Sequence, residues 1–256
     1  MIGPAERRAR ARSLGVQETA IERDYILSSA LSAFAQDPGQ LVFRGGTALA
    51  RAYWPDYRLS EDLDFIAAAG VDDLNAWMVR LTASASEIAA TQLTLRYVGP
   101  RGGWSRSYLT WAENEVIVDI NLNEGIALGA EHRVLNLPYG SFEGQHVEVP
   151  TVSIAEILGN KWFILEDRYE PRDLYDIWWG LRQAQVPFTE LARGHVAKYR
   201  MMPIRQFLTR SATRIEAAWG VRLQHQLRAL PEFRHVFGEV LEDYDAWEAG
   251  GKPASD

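Results

Sequence analysis

The residues best suited to chemistry are two aspartates, Asp62 and Asp64, two positions apart in the run Asp-Leu-Asp-Phe. In a β-strand, residues i and i+2 project to the same face, so both carboxylates would enter one small volume. Two like charges at that distance repel each other unless a cation lies between them. Carboxylate oxygens suit Mg²⁺, which proteins commonly bind together with substrate phosphates. The pair therefore predicts a magnesium site.

A glycine-rich turn precedes the acid pair. Gly45-Gly46-Thr47 follows the buried-type strand Leu41–Phe43 and leads into a helical stretch that Pro55 ends. Backbone N–H groups in such a turn, at a helix N-terminus, can bind an anion. A phosphate-binding turn followed by metal-binding carboxylates indicates nucleotide chemistry.

A third carboxylate lies in the middle of a later predicted strand, 115–121. Val116, Val118 and Ile120 alternate along it and form its apolar face, which places Asp119 on the opposite face. An acid between two β-branched residues is an unusual choice for a core strand. A phosphate-binding turn and three convergent carboxylates are the parts of metal-assisted phosphoryl transfer with two ions about 4 Å apart.

The elements that must position these residues are of mixed type up to about residue 150 and helical beyond it. Helices are predicted over 5–36, over 47–53 and from Asp72 or Asp73 to about Ile88. Strands are predicted over 41–43, 63–67, 93–98, 107–111, 115–121 and 146–149. From Ser153, a helical cap, the predicted helices cover 153–165, a stretch from Arg172, 189–199, 204–218, 222–229 and 232–247. We expect an α+β fold with a mixed sheet flanked by helices in residues 1–150, and an all-helical C-terminal lobe in residues 151–256.

The motifs also resemble a known family. Gly45-Gly46, Asp62-x-Asp64 and Asp119 resemble the polymerase β-type nucleotidyltransferase superfamily. The longer run from Gly45 to Leu49, with Arg58-x-Ser60-x-Asp62-Leu-Asp64-Phe, is more narrowly similar to the AbiEii/AbiGii-type toxins, which include the mycobacterial MenT toxins. The family's second signature has the form Lys-x₆-Arg-x₃-Arg-Asp-x₂-Asp, and here the matching residues are Lys161, Arg168, Arg172, Asp173 and Asp176.

The resemblance implies a role for each matching residue. Asp62, Asp64 and Asp119 would hold one or two Mg²⁺ ions, and Asp119 would also orient or deprotonate the attacking hydroxyl. Lys161 would neutralise the β- and γ-phosphates, and Asp173 would position Lys161 or help to seat the nucleotide. The remaining residues implied in nucleotide binding are Gly45, Gly46, Thr47, Arg58, Ser60, Arg168 and Asp176.

The same resemblance implies an activity. The protein would transfer a nucleoside monophosphate from an NTP to a hydroxyl at the 3′ end of tRNA, release pyrophosphate and block translation. It would act as a toxin with a cognate antitoxin. Two other functions stay open: nucleotidyl transfer to a protein or a small molecule such as an aminoglycoside, and a catalytically silent binding protein with the same fold.

Structural interpretations of the second signature also stay open. Lys161 and Arg168 could belong to an ion network without a substrate, and Asp173 could be a helix N-terminal acid favoured by the helix dipole. Asp176 could simply pair with Arg172.

Composition limits the classes of protein that the chain can represent. Its 256 residues are 47% hydrophobic and include nine tryptophans, which favours a folded protein. It has no cysteine, which excludes disulfides and thiolate metal sites, and no apolar run approaches the ~18 residues of a membrane span. We expect a cytoplasmic protein.

The charge distribution indicates one basic segment that could attract a polyanion. The net charge is −7, yet residues 192–235 contain nine basic and two acidic residues, a local charge of +7. This segment predicts either an RNA-binding surface or an arginine-rich solvated helical face.

Overall fold

The computed structural model of the chain describes residues 1–55, 57–67 and 73–250. The chain forms two compact units. The first comprises Met1–Val152 and a short return segment, Gln226–Arg228; the second comprises Ser153–His225 and Ala229–Asp256. The chain therefore leaves the first unit, builds most of the second and comes back to the first for three residues.

The described part of the first unit contains one mixed sheet of seven strands, in the order β3-β4-β5-β2-β1-β7-β6. Neighbouring strands are antiparallel except for the β2–β5 and β1–β7 pairs, which are parallel. The strands are β1 (Leu41–Arg44), β2 (Asp62–Ala67), β3 (Thr94–Arg101), β4 (Trp104–Trp111), β5 (Asn114–Asn121), β6 (Ala130–Val134) and β7 (Glu148–Val152). The expected mixed sheet is confirmed, and both aspartates of the acid pair lie in β2.

The helices of the first unit flank this sheet. They are α1 (Pro4–Leu14), α2 (Glu18–Gln36), α3 (Gly45–Ala48), which continues as a π-helical turn over Leu49–Tyr53, and α4 (Leu74–Ala89), with a short 3₁₀ turn at Gly140–Phe142. Asp73 caps α4, because its carboxylate accepts a hydrogen bond from the Ala76 N–H at 2.9 Å. Asp72, the other predicted cap, lies outside the described residues.

The alternation of side chains along β2 determines where its acids point. Phe65 packs against Phe34 of α2, with ring centroids 4.7 Å apart, and against Trp77 of α4 at 6.3 Å. Since neighbours in a strand project to opposite faces, burial of Phe65 directs Asp64 to the face away from these helices.

A buried polar cluster fixes the turn after β1 to α2. The Asp24 carboxylate accepts hydrogen bonds of 2.5 Å from Arg51 and from the Tyr139 hydroxyl, and Asp24 and Arg51 are both buried. A buried ion pair with a further hydrogen bond has one well-defined geometry, because any other would leave a charge without a partner. The cluster therefore holds in place the helical segment that begins at Gly45.

The second unit is helical throughout its described elements. They are α5 (Ile154–Arg168), α6 (Pro171–Trp178) with a π-helical turn at Trp179–Gln183, α7 (Phe188–Tyr199), α8 (Arg205–Leu223) and α9 (Phe233–Ala249). Helices α5 and α7 approach so closely that a Cβ on Gly194 would lie 2.7 Å from the Glu156 nitrogen. Trp162 of α5 stacks on Tyr244 of α9 with ring centroids 5.5 Å apart, and this contact centres the core of the unit.

The structure differs from the predicted elements in several places. Strand β6 was not predicted, and β7 continues through Pro150, which lies opposite His132 in β6. The predicted helix over 222–229 is wrong, since α8 ends at Leu223 and residues 224–228 are not helical. The physical reason is tertiary: the Gln226 carbonyl accepts a hydrogen bond from the Leu59 N–H at 3.1 Å, which pulls this stretch into the first unit.

Across the described ranges, with their gaps at 56 and 68–72, no helix is both long and apolar enough to cross a membrane.

Candidate active site

Two of the three predicted acids, Asp64 and Asp119, lie in a row of four charged residues that crosses the first unit's sheet. Arg44 in β1 is the register partner of Asp64 in β2, and Asp64 is the partner of Asp119 in β5. Asp119 is in turn the partner of Arg106 in β4. Adjacent strands are about 4.8 Å apart, so the two acids are immediate neighbours with an arginine on each side. The structure thus brings together Asp64 and Asp119, which are far apart in the sequence.

The glycine turn fits against the acid pair. Gly45 has φ +79°, and a Cβ at this position would lie 3.0 Å from Asp64 Cβ and Cγ, and closer still to Oδ2. Only glycine satisfies both the backbone conformation and the close approach. The turn and Asp64 therefore form one packed arrangement.

Gly46 makes a similar fit to a buried arginine. A Cβ on Gly46 would lie 2.6 Å from Arg58 Nη2 and 3.5 Å from Ser60 Oγ. Arg58 is only 5% exposed, and its Nη1 donates a 2.8 Å hydrogen bond to Gln226 Oε1 and one of 3.0 Å to the Leu59 carbonyl. The return segment thus supplies the side chain that holds Arg58 against the glycine turn.

Hydroxyl groups connect the turn to the acid strand. The hydroxyls of Thr47 and Ser60 are hydrogen-bonded at 2.7 Å, and the Thr47 hydroxyl also contacts the Asp62 carbonyl oxygen. Thr47 is buried, whereas Ser60 and Asp62 are half-buried. The predicted nucleotide-binding residues of the first unit thus surround one turn and the start of β2.

Asp119 forms a bidentate ion pair with Arg106. Arg106 Nε donates to Oδ1 at 2.7 Å and Nη2 donates to Oδ2 at 2.6 Å. The hydrogen bond to Asp119 raises the pKa of Arg106 above its already high ordinary value, so the guanidinium stays charged. Asp119 has a 14% exposed side chain, while that of Arg106 is 51% exposed.

A second carboxylate pairs with the other arginine of the row. Glu124 forms an ion pair with Arg44 and accepts a 2.7 Å hydrogen bond from the Asn121 amide. Asn121 Oδ1 in turn accepts hydrogen bonds of 3.0 Å from the N–H groups of Asn123 and Glu124. This turn at the end of β5 places Glu124 beside Arg44 of β1.

The donor chemistry of Asp62, Asp64 and Asp119 fits a divalent metal ion, since all three offer hard oxygen ligands and Asp119 already holds a cationic group. In the side-chain positions of the structure, no three acidic or histidine residues in the described ranges are grouped as metal ligands. Both Asp119 oxygens are instead bonded to Arg106.

Three residues of the second signature, Lys161, Asp173 and Asp176, form a buried cluster within the second unit. Lys161 Nζ lies 2.7 Å from Asp173 Oδ1 and 2.7 Å from Asp176 Oδ2. Lys161 is 6% exposed and Asp176 is fully buried. The Asp173 Oδ2 atom is buried and accepts no hydrogen bond. Asp176 therefore pairs with Lys161. The sequence alone had suggested a pair of Asp176 with Arg172.

The two arginines of the signature differ in exposure and in contacts. Arg168 is exposed in the last turn of α5. The Arg172 guanidinium lies 3.4 Å from Glu170. Neither observation places these arginines at a nucleotide, and their roles stay predictions.

Ion pairs within the second unit neutralise much of the basic segment 192–235. The Arg205–Asp245 and Arg210–Glu166 pairs have N–O distances of 3.0 and 2.8 Å. Further pairs are Arg193–Glu190, Lys198–Glu156 and Arg234–Glu216. Paired charges attract a polyanion less than free ones, which favours the solvated-face interpretation of this segment over an RNA-binding surface.

Comparison with known proteins gives the family. Residues 27–247 match the sequence profile described as "Nucleotidyl transferase AbiEii toxin, Type IV TA system". The chain belongs to the AbiEii family. It is a nucleotidyltransferase of a toxin–antitoxin system, and the resemblance of the motifs is confirmed.

A solved structure shares the fold of this AbiEii protein. MenT4, a nucleotidyltransferase toxin from Mycobacterium tuberculosis H37Rv, matches with a TM-score of 0.65 and 18% sequence identity over 98% of this chain and 95% of MenT4. No match was found among curated protein sequences.

Three residues of this site were missed in the sequence. Arg106 could have been found from the short turn at Ala112–Glu113, which pairs it with Asp119 once β4 and β5 are taken as a hairpin. For Glu124 the only indication in the sequence was an asparagine three residues earlier, a residue type that favours turns through its side chain. Gln226 had none, because its partner Arg58 is remote in the sequence.

Proposed function

We propose that the protein transfers a nucleoside monophosphate from an NTP to a hydroxyl group in a magnesium-dependent reaction. The observation that carries this proposal is the register of Asp64 beside Asp119, with Gly45 packed against Asp64. The acceptor oxygen forms a bond to the α-phosphorus, the bond from that phosphorus to the bridging oxygen breaks, and pyrophosphate leaves.

Each residue of the first unit has a proposed part in this reaction. Asp62, Asp64 and Asp119 hold Mg²⁺, which when bound polarises the phosphoryl oxygens and neutralises charge. Asp119 accepts the proton of the attacking hydroxyl. The backbone N–H groups at Gly45 and Gly46 bind phosphate oxygens, and the hydroxyls of Thr47 and Ser60 lie beside them.

The residues Arg58 and Lys161 have different proposed parts. Arg58 is buried against Gly46, so it maintains the shape of the turn rather than contacting the substrate. Lys161 supplies counter-charge for the β- and γ-phosphates as pyrophosphate leaves. Asp173 and Asp176 set the position of its ammonium group.

The proposed acceptor is the 3′ end of tRNA, with a block of translation as the outcome. The family assignment supports a toxin that is controlled by an antitoxin, and tRNA is our choice of acceptor by resemblance to MenT-like toxins. Since NTPs and tRNA are cytoplasmic, we propose that the protein acts there.

Transfer of label tests the proposal. Purified protein is incubated with each α-³²P-labelled NTP, MgCl₂ and total RNA, and in parallel with a cell lysate depleted of RNA and with an aminoglycoside. We expect label in the tRNA band, with release of pyrophosphate. Label in protein or in the aminoglycoside would contradict the tRNA acceptor while keeping the nucleotidyl transfer.

Neutral variants of the acids test the chemistry. Asp64→Asn and Asp119→Asn should each lower transfer by at least about a thousandfold and remove growth arrest in a bacterial host. The matched control is Glu113→Gln, at an exposed acid in the turn after β4, which should keep full activity. Toxicity retained in both aspartate variants would contradict the enzymatic basis of growth arrest.

A further inference from the structure

We propose that Arg106 is an internal cation that occupies the Asp119 carboxylate and must be displaced when a divalent metal binds. This inference rests on the proposed function, because it assigns Asp119 to the metal site. Its first observation is the bidentate pair, in which both oxygens of Asp119 accept hydrogen bonds, at 2.7 and 2.6 Å, from one guanidinium.

The strand register makes this pairing a property of the fold. The β4–β5 ladder pairs every residue from Trp104 to Trp111 with one from Asn121 to Asn114 without a bulge. Residues directly opposite each other share a face and have Cβ atoms about 5 Å apart. Arg106 therefore always faces Asp119, whereas an arginine on a loop would reach it only in some conformations.

The charges in the row explain why a cation is needed there. Asp119 and Asp64 are neighbours on adjacent strands, and two carboxylates so close repel each other. The arginine beside Asp64, Arg44, is engaged by Glu124. Arg106 therefore supplies positive charge to the row on the Asp119 side and orients the Asp119 carboxylate.

The Arg106 side chain is more exposed than two other cations that pair with acids, Lys161 and Arg51. Its side chain is 51% exposed, so it can swing into solvent without leaving a buried charge behind. Lys161 and Arg51, by contrast, are buried with their acids. An ion pair in which one side chain is exposed contributes little net stability. A divalent cation is attracted more strongly to carboxylates and can take the place of the arginine.

The consequence is competition for one carboxylate. In the absence of nucleotide, the metal competes with Arg106 for the Asp119 oxygens. Its apparent affinity is the intrinsic affinity multiplied by the fraction of molecules in which Arg106 is not bound to Asp119. Arg106 is thus a positioning residue that links metal binding to a side-chain movement.

Metal titration without substrate tests this inference. Mn²⁺ binding to the full chain is measured by isothermal titration calorimetry in the absence of NTP. We expect Arg106→Gln to bind Mn²⁺ at least fivefold more tightly than the natural protein. Arg106→Lys, which keeps the charge but offers no bidentate fork, should fall between the two.

Two controls separate displacement from a general charge effect. Arg96→Gln removes an equal charge from an exposed arginine of β3, whose partner is Glu115 at 2.9 Å, and it should leave Mn²⁺ affinity unchanged. In an Asp119→Asn background, Arg106→Gln should no longer alter Mn²⁺ affinity.

The results have distinct meanings. Equal Mn²⁺ affinity in the natural protein and Arg106→Gln, equal gains in Arg106→Gln and Arg96→Gln, or binding in none of them would each overturn the role of Arg106. Failure of the proposed function appears separately, as absence of nucleotidyl transfer in the natural protein at saturating Mg²⁺ and NTP.

Discussion

Gly45 and Asp64 are fitted together so closely that no side chain can be added at position 45. A Cβ there would lie 3.0 Å from two carbons of Asp64 and closer to its carboxylate oxygen. The turn proposed to bind phosphate and the strand proposed to bind metal thus share one contact, and a change in the turn must move the carboxylate.

Gly45→Ala should therefore abolish nucleotidyl transfer, with a loss of at least about a hundredfold, because displacement of a reacting group by about 1 Å has such an effect. The measurement is label transfer from the preferred NTP. Gly15→Ala is the matched control, since Gly15 also has positive φ, +69°, but a Cβ there meets nothing within 4 Å. Both variants should lose about 1–2 kcal/mol of stability from backbone strain. Equal activity in the two variants would contradict the contact.

Gln226→Leu should destabilise the first unit and weaken nucleotide binding. It removes one of the two acceptors of Arg58 Nη1 and leaves the Leu59 carbonyl, and loss of a buried hydrogen bond to a charged group costs about 1–3 kcal/mol. Denaturant unfolding and the KM for NTP are the measurements. Gln224→Leu, an exposed glutamine two residues earlier, is the control and should change stability by less than about 0.5 kcal/mol. Identical effects of the two substitutions would refute this role of the return segment.

Lys161→Met should lower the stability of the second unit by about 3–5 kcal/mol, because two buried carboxylates lose their cation. Chemical denaturation followed by tryptophan fluorescence measures the loss. Arg205→Met is the control, since its pair with Asp245 is exposed and should contribute less than about 1 kcal/mol. A loss at Lys161 no larger than that at Arg205 would contradict this role of the buried Lys161 contacts.

Burial of His195 predicts a loss of stability in acid. Burial lowers the pKa of His195 below the ordinary value of 6.5, and Nδ1 is 3.1 Å from the Gly159 carbonyl while Nε2 has no partner. The unfolded chain then binds the proton more tightly, so this residue's contribution is complete above pH 6.5 and declines as the pH falls below it. The free energy of unfolding, measured from about pH 7.5 to pH 5, should fall less steeply for His195→Gln. Parallel curves would assign the acid sensitivity to other groups.

Local patterns in the sequence predicted the acid row well for a physical reason. Period-two alternation in β2 and β5 depends only on neighbouring residues, so the apolar set around Phe65 and Val118 directs Asp64 and Asp119 to the opposite face. The glycine turn was equally accessible, since its chemistry is contained in consecutive residues.

Pairings between distant segments were not accessible in the same way. Arg106 gains its role only from register across a hairpin whose turn, Ala112–Glu113, lacks the usual glycine signal, with Ala112 at φ +45°. Gln226 lies in a stretch with helical periodicity, and tertiary hydrogen bonds to Leu59 and Arg58 override that local preference.

The return of the chain at Gln226–Arg228 has a consequence for biosynthesis. A ribosome adds residues in order, so the acid row and the glycine turn emerge long before Gln226 does. During that interval the hydrogen bond from Arg58 to Gln226 cannot form. The segment around Arg58 and Gly46 therefore gains its contact with the return segment only when synthesis is almost finished.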